Sequence, residues 1–126
     1  MNYSGTARSN YFRVKNAAAF QAFVKKLPGV RIEKKDDRFA LLADEGWPSS
    51  WSNDDDLDII QELHPYIADG DVAVLMGSGY EGMRYVDGVA VAVNNKGETR
   101  RVSLEDIYKL AEDLAAPGTK VTLARF

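Results

Sequence analysis

The chain has 126 residues, of which 45% are hydrophobic and 28% are charged, and its formal net charge is −3. This length and composition are typical of one folded domain and exclude an intrinsically disordered protein, and no apolar stretch approaches the roughly 20 residues that cross a bilayer. Because the chain has no cysteine, disulfides, thiolate metal sites and thiol nucleophiles are excluded.

The first third of the chain predicts a strand, a helix and a hairpin. Residues 11–15 alternate aromatic or branched side chains with basic ones, which is typical of a strand. Asn16 then caps a helix over residues 17–27, which ends at Pro28 and Gly29. Two further strands follow, at residues 30–35 and 38–44, joined by a turn at Asp36 and Asp37.

The middle of the chain predicts a second helix over residues 54–68, which begins after Ser52 or Asn53. We expect this helix to end or kink near His64, because Pro65 cannot donate a helical hydrogen bond. The remaining predicted elements are strands at residues 71–76, 83–93 and 98–102, a helix at 104–116 and a strand at 120–126.

This order, β-α-β-β-α-β-β-β-α-β, predicts an α+β fold with a mixed, mainly antiparallel sheet and about three helices. We interpret residues 1–126 as one domain in which residues 1–9 are flexible. The first ten residues are polar and lack the apolar stretch of a signal peptide, and the lack of cysteine fits a reducing compartment. We therefore expect a cytoplasmic protein without membrane contact.

Three glycines, Gly77, Gly79 and Gly82, have the G-x-G-x-x-G spacing of dinucleotide-binding proteins. That fingerprint requires a helix directly after the glycines, because the pyrophosphate binds at the helix amino terminus. Residues 83–93 are rich in valine and predict a strand instead. We therefore interpret the glycines as connecting two antiparallel strands, and we expect no nucleotide cofactor.

Charge is distributed unevenly along the chain. Residues 1–38 hold nine Lys/Arg against three Asp/Glu, whereas residues 39–93 hold one basic residue against eleven acidic ones. Asymmetry of this kind bears on partners rather than on fold. The basic third has no recognisable nucleic-acid-reading motif, and the sequence pI of about 5.1 is low, so we expect no direct binding of nucleic acid.

The acidic middle of the chain is the predicted site of contact with a protein partner. A row of closely spaced carboxylates can offer a partner what a nucleic-acid backbone offers, although an ordinary solvated face is the alternative. Tryptophan is enriched among interface hot spots, but these tryptophans could equally cover one end of the sheet, Trp47 above all. The candidate partner-binding residues are Asp54, Asp55, Asp58, Glu62, Trp51 and Trp47.

Catalytic and metal sites find little support in the sequence. His64 is the only histidine, and no serine stands in a nucleophile-elbow context. One histidine without cysteine does not make a zinc site, and the acids near Asp54 lack the alternation and the glycine of a calcium loop. We expect no metal, no cofactor and no catalytic residue; the alternative is an enzyme that uses carboxylates and His64 in a cleft.

Two segments carry a resemblance to a known group of proteins. Residues 9–24, SNYFRVKNAAAFQAFV, and residues 62–94 resemble small accessory proteins of phages and conjugative elements. The resemblance implies a mobile-element context, a class that includes anti-CRISPR and anti-restriction proteins, and it brings no catalytic motif. Together with the acidic block, it predicts a non-enzymatic inhibitor of a bacterial nucleic-acid-handling defence complex. The alternative is a homo-oligomeric structural or regulatory module, in which the basic first third of one copy contacts the acidic middle of another.

Overall fold

Six antiparallel strands form one sheet in the order β2-β3-β1-β4-β5-β6, and three α-helices accompany it. The structure is a computed structural model that describes residues 4–125. The strands are β1 Ser4–Ser9, β2 Val30–Lys35, β3 Arg38–Ala43, β4 Val72–Glu81, β5 Tyr85–Asn94 and β6 Thr99–Ser103. The helices are α1 Ala17–Lys25, α2 Ile59–Leu63 and α3 Ile107–Glu112, with short 3-10 turns at His64–Tyr66 and Leu104–Asp106. The predicted α+β class and the predicted order of elements are confirmed.

The first strand lies earlier in the chain than predicted. Strand β1 pairs with β4 at six positions and with β3 on its other side, whereas residues 11–15 contribute only isolated bridges, at Phe12 and Val14. The expected flexibility of residues 1–9 is therefore wrong for 4–9, and residues 1–3 lie outside the described part of the chain. Serine, glycine and alanine have weak strand preference, so β1 takes its conformation from two neighbouring strands.

The carboxyl-terminal segment joins the sheet at one point. Residues 120–126 were predicted to form a strand, and Arg125 makes a single antiparallel bridge with Tyr85. The amide of Ala124 also donates to the Tyr108 hydroxyl at 2.8 Å, which ties this segment to α3. Phe126 lies outside the described residues.

Helix α1 forms where the sequence places it. The Asn16 side chain accepts a hydrogen bond from the Ala19 amide at 3.0 Å, as an N-cap does. Phe20, Phe23 and Val24 recur at helical spacing, and all three are buried. This stripe seats the helix on one side of the sheet, where the Phe20 and Phe39 ring centroids lie 5.5 Å apart.

Strand alternation divides the sheet into two faces with different surroundings. The covered face packs under α1 and α2, and its members Phe39, Leu41, Ala73, Leu75 and Val93 belong to the buried core. The opposite face, called the open face below, follows from the register of paired residues. Its members include Arg8, Leu42, Met76, Ser78, Gly88, Ala90 and Val102.

Candidate functional site

Residues 54–58 form a loop, and α2 begins only at Ile59. The helix predicted from residue 54 is therefore wrong over its first turn. The amide of Trp51 donates to the Asp55 carbonyl at 2.8 Å, and the Asp54 amide donates to the Trp51 carbonyl at 3.0 Å. Asp54 has a φ of 70°, in the left-handed region. The Asn53 side chain accepts from the Asp55 amide at 3.2 Å. Asn and Asp favour such turns because their side chains bond the nearby backbone.

Asp58 is the N-cap of α2. Its Oδ1 accepts hydrogen bonds from the amides of Ile60 at 3.1 Å and Gln61 at 3.3 Å. The carboxylate therefore satisfies helix donors that otherwise lack partners. Since α2 begins only at Ile59, Asp54 and Asp58 are not one helical turn apart, and they do not form a repulsive i, i+4 pair of like charges.

The acidic middle of the chain is partly neutralised inside the molecule. Asp44 pairs with Arg31 at 3.2 Å, and Asp69 pairs with Lys15 at 3.6 Å, so the basic third supplies partners for the acidic block. Glu81 pairs with Arg84 at 3.1 Å. Among residues 4–125, no such ion pair involves the loop and α2 carboxylates, which are exposed. We name these carboxylates the acidic patch: Asp54, Asp55, Asp56, Asp58 and Glu62.

The two tryptophans lie in different places. Trp51 is half-buried against the core and lies beside the acidic patch, where it lines a shallow cavity of about 520 Å³ together with Lys26. Trp47 lies against the covered face instead: a Cβ at Gly77 would be 3.5 Å from its Cδ1. The structure therefore brings Trp51, but not Trp47, next to the acids with which the sequence grouped both.

The three glycines of the fingerprint spacing lie in two different places. Gly77 and Gly79 lie within β4, and a Cβ at Gly77 would make only an ordinary contact, 3.5 Å, with the Trp47 ring. Only Gly82 lies in the turn before β5, where its φ is 52°. A strand follows the glycines, as the sequence predicts, so no helix amino terminus is available there for a pyrophosphate.

His64 forms a structural contact at the end of α2. It is the helix C-cap, and its Nδ1 lies 3.1 Å from the Asn95 carbonyl oxygen. Its ring lies against Gly97, whose φ of 84° belongs to the turn between β5 and β6. Within the described range 4–125, no group of three or more His, Asp or Glu side chains could hold a metal ion.

The open face carries an apolar surface that the sequence-based prediction missed. We name it the apolar patch: Met76, Tyr80, Val86, Val102 and Leu104, each between 52% and 67% exposed. The patch continues onto α3 through Ile107 and Leu110. Leu104 lies over Gly88, where a Cβ would come within 3.3 Å of its side chain. Two cavities of about 630 and 590 Å³ adjoin there, sharing Val102, Ser103 and Leu104.

Polar groups border the apolar patch on the β2 and β3 side. The Tyr11 hydroxyl donates to Glu33 at 2.8 Å, and Arg8 and Lys35 each lie 5.8 Å from the centroid of the Tyr11 ring. The hydrogen bond to Glu33 raises the pKa of the Tyr11 hydroxyl. On β5, loss of solvent contact and the negative charge of Glu81 raise the pKa of Tyr85.

Comparison with protein-family models, with curated proteins and with solved structures gives no match for this chain. The resemblance to accessory proteins of mobile elements therefore stays a prediction from the sequence. No helix within residues 4–125 has the length and apolar character needed to span a membrane.

Proposed function

We propose that this protein is a non-enzymatic inhibitor whose acidic patch binds a basic, nucleic-acid-binding surface of a bacterial defence complex. The observation that carries the proposal is the contrast within the acidic block. Asp44, Asp69 and Glu81 have cationic partners within the chain. The described ion pairs include none of the acidic patch, so its charge is available to a partner.

The negative charge of the acidic patch can attract and orient a partner that has a basic surface. Complementary potential steers association and suppresses wrong partners more than it adds affinity, and it weakens as salt screens the charges. A basic surface that binds a phosphate backbone presents the complementary potential. The resemblance of residues 9–24 and 62–94 to accessory proteins of mobile elements supports a target among bacterial defence complexes.

Trp51 supplies the apolar part of the proposed contact. Its backbone forms hydrogen bonds with the backbone of Asp54 and Asp55, and the residue is only half-buried. Tryptophan anchors surrounded by polar groups are typical of interface hot spots. Trp47 is left out of the proposed contact because it packs against the covered face.

Affinity capture from bacterial lysate tests the proposal. One bait is the natural chain, and a second carries Asp54→Asn, Asp55→Asn, Asp58→Asn and Glu62→Gln. Asparagine caps a helix about as well as aspartate, so the second bait keeps α2. A control bait carries Asp36→Asn, Asp37→Asn, Glu45→Gln and Glu98→Gln, which removes as much charge elsewhere.

We expect the natural and control baits to retain a nucleic-acid-binding complex at low salt, and the acidic-patch variant to lose it. We also expect added nucleic acid to displace the captured complex, because both occupy the same basic surface. Equal capture by the natural bait and the acidic-patch variant would contradict the proposal, as would capture that salt does not weaken.

A further inference from the structure

A trough crosses the open face from strand to strand. Its floor is a row of small residues in register, Thr6 on β1, Ser78 on β4 and Gly88 on β5. Side chains two residues apart on a strand share a face, and the neighbouring row includes the larger Met76. Leu104 stands at the far end, 3.3 Å from the position of a Cβ at Gly88. These differences in side-chain size shape the cavity of about 630 Å³ on this face.

The size and lining of the trough suit a small molecule. Cavities that bind small molecules have volumes of about 300–1,000 Å³ and are lined mainly by apolar side chains with a few polar groups. Three strand spacings of about 4.8 Å separate β1 from β6, so the trough can hold an extended body of about 14 Å. The larger apolar side chains that line it are Leu42, Met76, Val102 and Leu104.

Polar groups with unused binding capacity lie together at the β1 end of the trough. Thr6 and Ser78 each carry a hydroxyl and are directly opposite each other on neighbouring strands. Arg8 follows on the same face of β1, in register with Met76. All three polar residues are exposed. Within residues 4–125, no side-chain hydrogen bond involves the two hydroxyls, and no ion pair involves Arg8.

Neighbouring groups hold the Arg8 guanidinium at this end of the trough. Its Nε donates to the Ser9 carbonyl at 3.0 Å, and its central carbon lies 5.8 Å from the centroid of the Tyr11 ring. Asp44 also lines the trough, but it pairs with Arg31 at 3.2 Å, so its charge is offset within the chain. A guanidinium held in this way binds a carboxylate through charge-assisted hydrogen bonds.

We propose that the trough binds a small monocarboxylate with an extended apolar body, such as a medium-chain fatty acid. Arg8 binds the carboxylate, and the hydroxyls of Thr6 and Ser78 donate hydrogen bonds to it. The apolar body lies over Gly88 and ends against Leu104. A neutral apolar molecule would leave the guanidinium without a partner, and a small polar anion would leave the apolar walls exposed, so charge and apolar contact together select this class.

Isothermal titration calorimetry of the full chain, with decanoate as the probe, tests the inference. Decanamide has the same apolar chain without the charge and is the matched probe. The titration stays below the concentration at which decanoate forms micelles. We expect saturable binding of one decanoate per chain, and binding of decanamide that is weaker by about tenfold or more, because hydrogen bonds to charged groups are the stronger ones.

Two substitutions separate the polar part of the site from the apolar part. Arg8→Gln should weaken decanoate binding by about tenfold and leave decanamide binding unchanged. Ser78→Leu fills the floor and should weaken both probes by about tenfold or more. Ser78 is exposed, so circular dichroism should show an unchanged fold. Arg100→Gln is the control, because Arg100 is exposed on the same face outside the cavity lining, and it should leave both affinities unchanged.

Methyl NMR locates the bound probe. Decanoate should shift the methyl resonances of Met76 and Leu104 and leave those of Leu41 and Leu63, in the buried core, unchanged. Titration without saturation, or equal affinity of the natural chain for decanoate and decanamide, would overturn the inference. A Met76 resonance that shifts with protein concentration, without any probe, would assign the face to a second copy and would also overturn it.

The trough and the proposed function fail separately, because the acidic patch lies on other elements, the loop before α2 and α2 itself. Neutralising the acidic patch should leave decanoate binding unchanged. Arg8→Gln should in turn leave capture of the defence complex unchanged.

Discussion

On strands β4 and β5 the two faces of the sheet carry similar apolar residues, yet the faces differ in what covers them. On the covered face, Phe20 packs against Phe39, and both rings are buried. On the open face, Met76 and Val102 remain 54% and 63% exposed. The covered face supplies much of the energy of folding, whereas the open face leaves its apolar side chains exposed to solvent. Substitutions on the two faces should therefore differ in their effect on stability.

The largest effect is expected at Phe20. Phe20→Ala should lower the free energy of unfolding by about 3–5 kcal/mol, because it removes a buried ring and leaves a cavity. Urea denaturation measures this loss. Met76→Ala is the matched change on the open face and should cost less than about 1 kcal/mol, because the Met76 side chain is already 54% exposed. Equal losses at the two positions would break the comparison.

A smaller effect is expected where a carboxylate of the acidic patch has a structural role. Asp58→Ala should cost about 0.5–2 kcal/mol, because two amides of α2 lose their acceptor. Asp58→Asn should stay within a few tenths of the natural value, since asparagine accepts the same bonds. Asp56→Ala is the control and should change stability by no more than about 0.5 kcal/mol. If Asp58→Ala and Asp58→Asn were equally unstable, the negative charge of Asp58, and not its hydrogen bonds to the α2 amides, would be what stabilises the fold.

The smallest effect is expected from Tyr11 at the border of the open face. The hydrogen bond to Glu33 raises the pKa of Tyr11, so the folded state holds this proton more tightly than the unfolded state. The resulting stabilisation is present below about pH 10 and is lost as pH rises through the folded-state pKa.

Urea denaturation of the natural chain and of Tyr11→Phe, between about pH 9 and pH 11.5, measures this contribution. The stability of the natural chain should fall more steeply with pH, because all other titrating groups, including Tyr85, are common to both proteins. Parallel pH profiles would show that the Tyr11 hydroxyl contributes nothing.

Local signals in the sequence were sufficient for much of the fold. The capping residue Asn16 and the aromatic spacing of α1 predict that helix, and the structure confirms it. Ser103 and Asp106 have the spacing of a capping box, and the structure shows that box before α3. The turn at Asp36 is confirmed, with a φ of 56°. In each case the residues that define the structure are neighbours in the chain, so the sequence alone contains the whole interaction.

Contacts between distant residues explain what the sequence could not show. Strand β1 owes its conformation to β3 and β4, which begin 34 and 68 residues after Ser4. Leu57 and Ile59, which follow the loop at Asp54, are both buried. The pattern of residues from Asp54 onward did not show that a loop, rather than a helix, leads to these two buried positions. Ile107 and Leu110 likewise have the helical spacing of a buried face, whereas both are exposed in the structure.

The sequence predicted the acidic part of the candidate site but not the apolar patch. Spacing along the chain indicated the acids from Asp54 to Glu62, and the structure shows which acids of the block have ion-pair partners. The apolar patch brings together β4, β5, β6 and the start of α3, and no single segment reveals it. Its one signal in the sequence is the lack of polar alternation in β4 and β5, which indicates burial on both faces.

Methyl NMR in the presence of a soluble paramagnetic probe tests the division between the two faces most directly. The methyl resonances of Met76 and Leu104 report on the open face, and those of Leu41 and Leu63 report on the buried core. We expect the probe to broaden the first pair, which is exposed to solvent, and to leave the second pair unchanged. Resonances of Met76 and Leu104 that the probe does not broaden would contradict the account.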